Sequence, residues 1–277
     1  MSTTAARRPE VGNVTQARVA LSEWTKLHSL RSTRWAMAVT LLLIIGFALI
    51  FSSVVAARWP NLSPEDQLRF LTHPLRASLV GVNLAELSIG VLGVLVISGE
   101  YTTGMIRSSL CAVPKRLPVL WGKAMVFAAT TFVFTLPAVL IAFFASQAIL
   151  SSRHIPSGHL QIAFSYPGVP RAVIGAALVL TVMGLFGLGI GAIVRHTAGA
   201  IVTLVAIIFV LPPLLGLLPT DWANAINPYL PSSAADALWT ITPEGHTLAP
   251  WAGFALFCGY AALSLAVAAG LLVRRDA

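Results

Sequence analysis

Few side chains in this sequence sit where they could do chemistry. Glu86 lies in the middle of an apolar run, residues 77–98. A charge at such a place costs about 3 kcal/mol to insert, so its carboxyl should face the protein interior or a wet cavity. There it could contact a cationic substrate or relay a proton; a neutral carboxylic acid hydrogen-bonded to a neighbouring helix is the alternative. Ser98, in Val96-Ile97-Ser98-Gly99, has a valine where an intramembrane serine protease needs glycine, and no histidine falls in an apolar run to act as its base. The sequence contains neither a G-x-x-x-x-G-K-[ST] loop for ATP nor an H-E-x-x-H pair for zinc. Its two cysteines, Cys111 and Cys258, form no CxxC and do not look like the halves of a disulfide.

The most informative polar stretch is residues 97–118. Glu100 and Arg107 flank a segment with apolar Met105, Ile106 and Leu110; Gly104 permits a turn and Pro114 stops a helix. This pattern suits a short helix lying across a membrane surface, its apolar side offered to a protein groove and its charges at the rim. An ordinary basic loop is the plainer reading. A second amphipathic segment is 17–34, where Val19, Leu21, Trp24, Leu27 and Leu30 alternate with Arg18, Glu23, Lys26 and Arg31, as expected of a helix resting on a bilayer.

The elements that must position these residues are membrane spans. The chain of 277 residues is 57% hydrophobic and 10% charged, against about 25% charged in soluble domains, and its mean hydropathy is +0.83. Six runs are long enough to cross a hydrocarbon core: 35–57, 77–98, 119–150, 172–194, 199–218 and 249–273. Pro137 should tilt or kink the long third run, and Pro212-Pro213 the fifth. Gly187 and Gly191 form a G-x-x-x-G for close helix packing. The polar N-terminal stretch lacks the pattern of a cleaved signal, so the first run is expected to remain as an anchor.

With the N-terminus inside, thirteen of the 18 Lys and Arg fall on cytoplasmic segments and five outside. The positive-inside bias therefore places both ends in the cytoplasm. The net charge of +8 has that same origin, and no basic stripe with interleaved aromatics suggests nucleic acid. The expected fold is an all-α integral membrane protein: a cytoplasmic leader with an amphipathic helix (1–34), then a six-helix domain (35–277). That domain carries an inner loop at 99–118 and an outer, re-entrant-like loop at 219–248. The outer loop carries Asp221, Asp236 and Glu244, with Trp222, Tyr229 and Trp239 suited to headgroup level.

Ser-Glu-Trp-Thr-Lys-Leu at Ser22–Leu27, Arg-Ser-Thr-Arg-Trp at Arg31–Trp35, Gly-Glu-Tyr-x-x-Gly-x-Ile-Arg at Gly99–Arg107 and the closing Arg274-Arg275-Asp276-Ala277 occur in that order. Together they resemble the permease subunits of bacterial ABC transporters of the type-2, exporter-like class. The resemblance implies a multi-pass protein of the bacterial cytoplasmic membrane, paired with a second permease subunit as homo- or heterodimer. A separate cytoplasmic ATPase would bind the ATP, this chain itself holding no cofactor. It implies that Glu100, Tyr101, Gly104, Met105, Ile106 and Arg107 couple to the ATPase, and that Trp24, Lys26 and Leu27 belong to the connecting helix. Glu86 and the short outer loops match no substrate signature of that family, and Glu86 is left as a pathway candidate. A non-transporting scaffold or sensor and an intramembrane enzyme are the readings from other classes.

Overall fold

A computed structural model describes residues 16–29, 31–105, 117–152, 154–155, 158–242, 245 and 247–274. It is an all-α membrane protein with six helices long and apolar enough to span a bilayer. The surface helix α1 is Gln16–Ser29, followed by the first span α2, Arg31–Arg58. A short helix α3, Pro64–Thr72, is started by Ser63, whose hydroxyl accepts from the Asp66 N–H, and it leads into the second span α4, Arg76–Thr102. The third span α5, Leu117–Ser151, is followed by a small two-residue hairpin and the fourth span α6, Val169–Val194.

The fifth span begins as α7, Thr197–Val205, passes through a π turn at Ala206–Val210 and ends as α8, Leu211–Leu215. Pro212 and Pro213 explain that turn. Their nitrogens carry no hydrogen and their rings crowd the preceding carbonyls, so the hydrogen-bond ladder widens ahead of them. Pro137, by contrast, sits inside α5 without ending it. At 35 residues, α5 is about 50 Å long, so it extends well beyond a hydrocarbon core about 30 Å thick. Two short helices, α9 (Thr220–Ile226) and α10 (Pro231–Trp239), precede the last span α11, Pro250–Arg274.

The core is built around α4 and α6, which approach closely because both carry glycines where they cross. A Cβ on Gly93 would lie 2.1 Å from the Gly184 carbonyl oxygen, and one on Gly187 would lie 2.2 Å from that of Gly90. Lipid supplies no hydrophobic drive between helices, so such close van der Waals approach is what holds them together. Leu79, Val82, Ala85, Val173, Ala176 and Leu180 fill one layer, joined by Ile44 of α2 and Phe143 of α5. α10 is drawn inward through Ala234, Ala235 and Leu238 against Val179 of α6 and Phe257 of α11.

Exposed Trp24, Trp35 and Trp121 gather toward one end, and exposed Trp222, Tyr229 and Trp251 toward the other. Aromatics so placed match the two headgroup layers of a bilayer. The first end, where the basic-residue bias leads one to expect the cytoplasm, is the basic or inner end, and the other is the outer end.

Candidate functional site

The charged residues of the basic end converge on the last two turns of α4. α1 folds as a helix whose residues at spacing four, Val19, Glu23 and Leu27, share one face. That face is buried against the spans, while Leu21 (65% exposed) and Trp24 (46%) point away. Trp24 is stacked on His28 of the next turn, with ring centroids 4.0 Å apart. The polar face expected from the sequence placed Glu23 toward water. Instead Glu23 lies inside, because it has partners there.

Those partners are two lysines. Lys123 of α5, with its side chain 2% exposed, donates to Glu23 Oε2 and, at 2.9 Å, to Glu100 Oε1. Lys26 donates to Glu23 Oε1 at 2.8 Å and to Glu100 Oε1 at 3.4 Å. Two carboxylates and two ammonium groups thus form one neutral set that ties α1, α4 and α5 together. Such burial is tolerated because each charge meets an opposite charge in hydrogen-bonding geometry; removing one partner from such a set costs about 3–5 kcal/mol. Burial pushes the Glu23 carboxyl up, but Lys123 and Lys26 outweigh it and hold the group below its ordinary value of 4.5. Burial likewise pulls the Lys26 ammonium down, and Glu23 and Glu100 overcome this to leave it above 10.5. Gln16 donates to the Pro118 carbonyl at 3.2 Å, a further tie from α1 to α5.

The same turns of α4 are gripped from the opposite side. Arg195, in the tight turn between α6 and α7 with φ of 57°, places its guanidinium 5.1 Å from the Tyr101 ring centroid. It also donates to the Leu271 carbonyl of α11 at 3.3 Å. Thr197 donates to Ser98 Oγ at 2.9 Å. The inner end of α4 is therefore in direct contact with α1, α5 and the α6–α7 turn, and Arg195 links that turn to α11.

α4 ends in this setting. Thr103 N–H donates to the Gly99 carbonyl, and Gly104, at φ +71°, turns the chain out of the helix. Met105 is exposed beyond it. Ile106 and Arg107 lie outside the described residues, as does Cys111. Of the expected coupling residues, Gly104 and Met105 are at the surface. Glu100 is buried in the ion set rather than standing at a rim, and Tyr101 is half-buried under Arg195. Leu27 of α1 is buried, Lys26 is an ion-pair partner, and Trp24 is exposed on the outer side of α1, stacked on His28.

Sequence reasoning passed over Glu23, Lys123 and Arg195. The available signal was Lys123, a cation inside an otherwise apolar helical run, since such a group needs a partner. Glu86 belongs to a different place. It is fourteen residues before Glu100, about 21 Å along the helix, and its buried Oε1 has no hydrogen-bond partner.

Among the described residues no three histidines, cysteines or carboxylates group to hold a metal. The described residues of the inner junction form a neutral ionic clamp linking a surface helix to the ends of spans. No protein-family model matches the chain, and no curated protein matches it.

Proposed function

We propose that the chain is the permease subunit of an ATP-driven exporter in the bacterial cytoplasmic membrane, working with a second permease subunit and a separate cytoplasmic ATPase. The observation that carries this reading is the clamp of Glu23, Lys26, Glu100 and Lys123. It makes α1 and the inner ends of α4 and α5 move as one body. A partner that pressed on the outer side of α1, or on the segment after Gly104, would thereby displace two spans at once. Such a linkage transmits work only if nucleotide on the partner favours one arrangement of the spans over the other. The exposed Leu21 and Trp24 offer the apolar side on which a protein partner could rest. The absence of an ATP-binding loop from the sequence fits a subunit driven by a separate engine.

The experiment is purification of the full chain from its native membrane with its associated proteins. The reading expects an ATPase carrying a G-x-x-x-x-G-K-[ST] loop to come with it, and Trp24→Ala to reduce both that association and ATPase stimulation while the spans stay folded. A chain that brings no such ATPase is a scaffold or sensor, and the transport reading fails.

A further inference from the structure

At the end of the bundle opposite the clamp, a chamber of about 490 Å³ opens between the start of α4 and the α9–α10 segment. Its walls include Asn83 of α4, Asn227, and Ser233, Asp236 and Trp239 of α10. Asp236 is drawn inward because α10 packs on α6 and α11. The Trp239 indole N–H lies beside the Asp236 carboxylate, yet it is buried without a hydrogen bond of ordinary geometry.

Glu86 is three residues beyond Asn83 and so shares its face of α4. It is 4% exposed, and the charge that bears on it is that of Asp236. Glu86 Oε1 is buried and unpartnered. Asp236 thus stands on the chamber wall with Glu86 buried behind it, near enough for their charges to interact, and among the described residues no lysine or arginine is paired to either. Among the described residues, Arg76 and His73 are the other charged or titratable groups on its walls; Arg76 is exposed at the first turn of α4, where water screens its charge.

We propose that this chamber binds a small organic cation, an ammonium on an apolar body, with Asp236 on its wall and Glu86 buried behind it supplying the counter-charge and Trp239 the wall for its apolar part. Three features select that class. Paired carboxyls in a low-dielectric site favour a cation that lets both ionise. The absence of a third ligand among the described residues argues against a bare metal ion. The chamber has the volume of a small-molecule site, and an indole face attracts ammonium groups. The inference does not depend on the transport reading, since binding requires neither ATP nor a partner.

The test is titration of the purified full chain in lipid nanodiscs, without ATP or any ATPase, using choline and its neutral isostere 3,3-dimethylbutanol. Tryptophan fluorescence and calorimetry report binding, with sodium chloride as the ionic-strength control. Choline is expected to bind saturably and the neutral isostere not to. Asp236→Asn and Glu86→Gln are each expected to weaken choline binding at least about thirtyfold, with helical circular dichroism and the monodisperse profile unchanged. Choline binding is also expected to strengthen as pH rises through about 6, where Asp236 ionises. Equal binding of choline and its neutral isostere, or wild-type affinity in both folded variants, overturns the proposal. So does the absence of saturable choline binding by the wild-type chain. Should either variant fail to fold, the pH profile and the isostere comparison on the wild-type chain decide the question alone.

Discussion

At the basic end of the bundle Glu23 and Glu100 share two ammonium groups, all within 3.4 Å, whereas toward the opposite end Glu86 and Asp236 interact through their charges, with no lysine or arginine paired to either among the described residues. Glu23, Glu100 and Glu86 are buried and Asp236 is half-buried on the chamber wall, and α4 contributes one member to each pair. The difference lies in what completes them. The inner set is neutral within itself, so its desolvation is offset by internal attraction, and it serves to hold helices together. The outer pair forms no ion pair with a lysine or arginine among the described residues. A buried, uncompensated polar pair is expensive to maintain for structure alone, which is why the outer end reads as a place for a ligand and the inner end as a joint.

The strongest way to break this contrast is Lys123→Met. The side chain keeps its length and loses its charge, leaving Glu23 and Glu100 to share Lys26 alone. We expect a loss of about 3–5 kcal/mol from the docking of α1, read as rapid proteolysis within residues 16–29 while the spans stay protected. Adding Glu23→Gln to Lys123→Met should recover part of that loss, because it removes the carboxylate left unpaired. An α1 that remains protected in the single variant shows that apolar packing of Val19 and Leu27, not the clamp, holds the helix.

The second contrast is in pH. Glu23 is held below 4.5 in the folded protein, so its contribution is fully present above that value and is lost as pH falls through its lowered folded value. Asp236 runs the other way. Burial raises it from 3.8 to about 6, despite the opposing pull of the Trp239 indole. Its contribution to stability is fully present below 3.8 and is lost as pH rises through about 6. Hydrogen exchange across a pH series should therefore show α1 loosening only at acid pH, and α10 loosening instead as pH rises toward neutrality. Parallel behaviour of the two segments would mean that they are not separately charged systems.

The spans were legible because a run of about 20 apolar residues is a local signal and lipid leaves a helix few alternatives. Their ends were less so. α4 runs to Thr102 rather than stopping near residue 98, because Glu100 finds ammonium partners and the helix can continue past the apolar zone. The amphipathic pattern of α1 was also visible, but not which polar residue would turn inward. Glu23 and Lys123 are 100 positions apart, and nothing local in either segment announces the other. The outer chamber was hidden for the same reason. Glu86 stood out as a charge in a span, whereas Asp236 looked like one acid among three in a surface loop until the packing of α10 brought it to α4.

The finest test of the comparison is Glu86→Gln, set beside Glu100→Gln. The two residues share a helix, a side chain and burial, and the substitution is isosteric in both. At Glu100 it leaves Lys123 and Lys26 with one carboxylate between them, and should cost about 2 kcal/mol. At Glu86 it replaces a carboxyl whose buried Oε1 has no hydrogen-bond partner. The change in thermal stability should stay within about 0.5 kcal/mol, with any shift upward, because an unfavourable approach to Asp236 is relieved. Equal losses in both variants would assign Glu86 a structural partner and erase the distinction between joint and chamber. A silent Glu86→Gln beside a damaging Glu100→Gln ties the fate of each carboxyl to its surroundings rather than to burial alone.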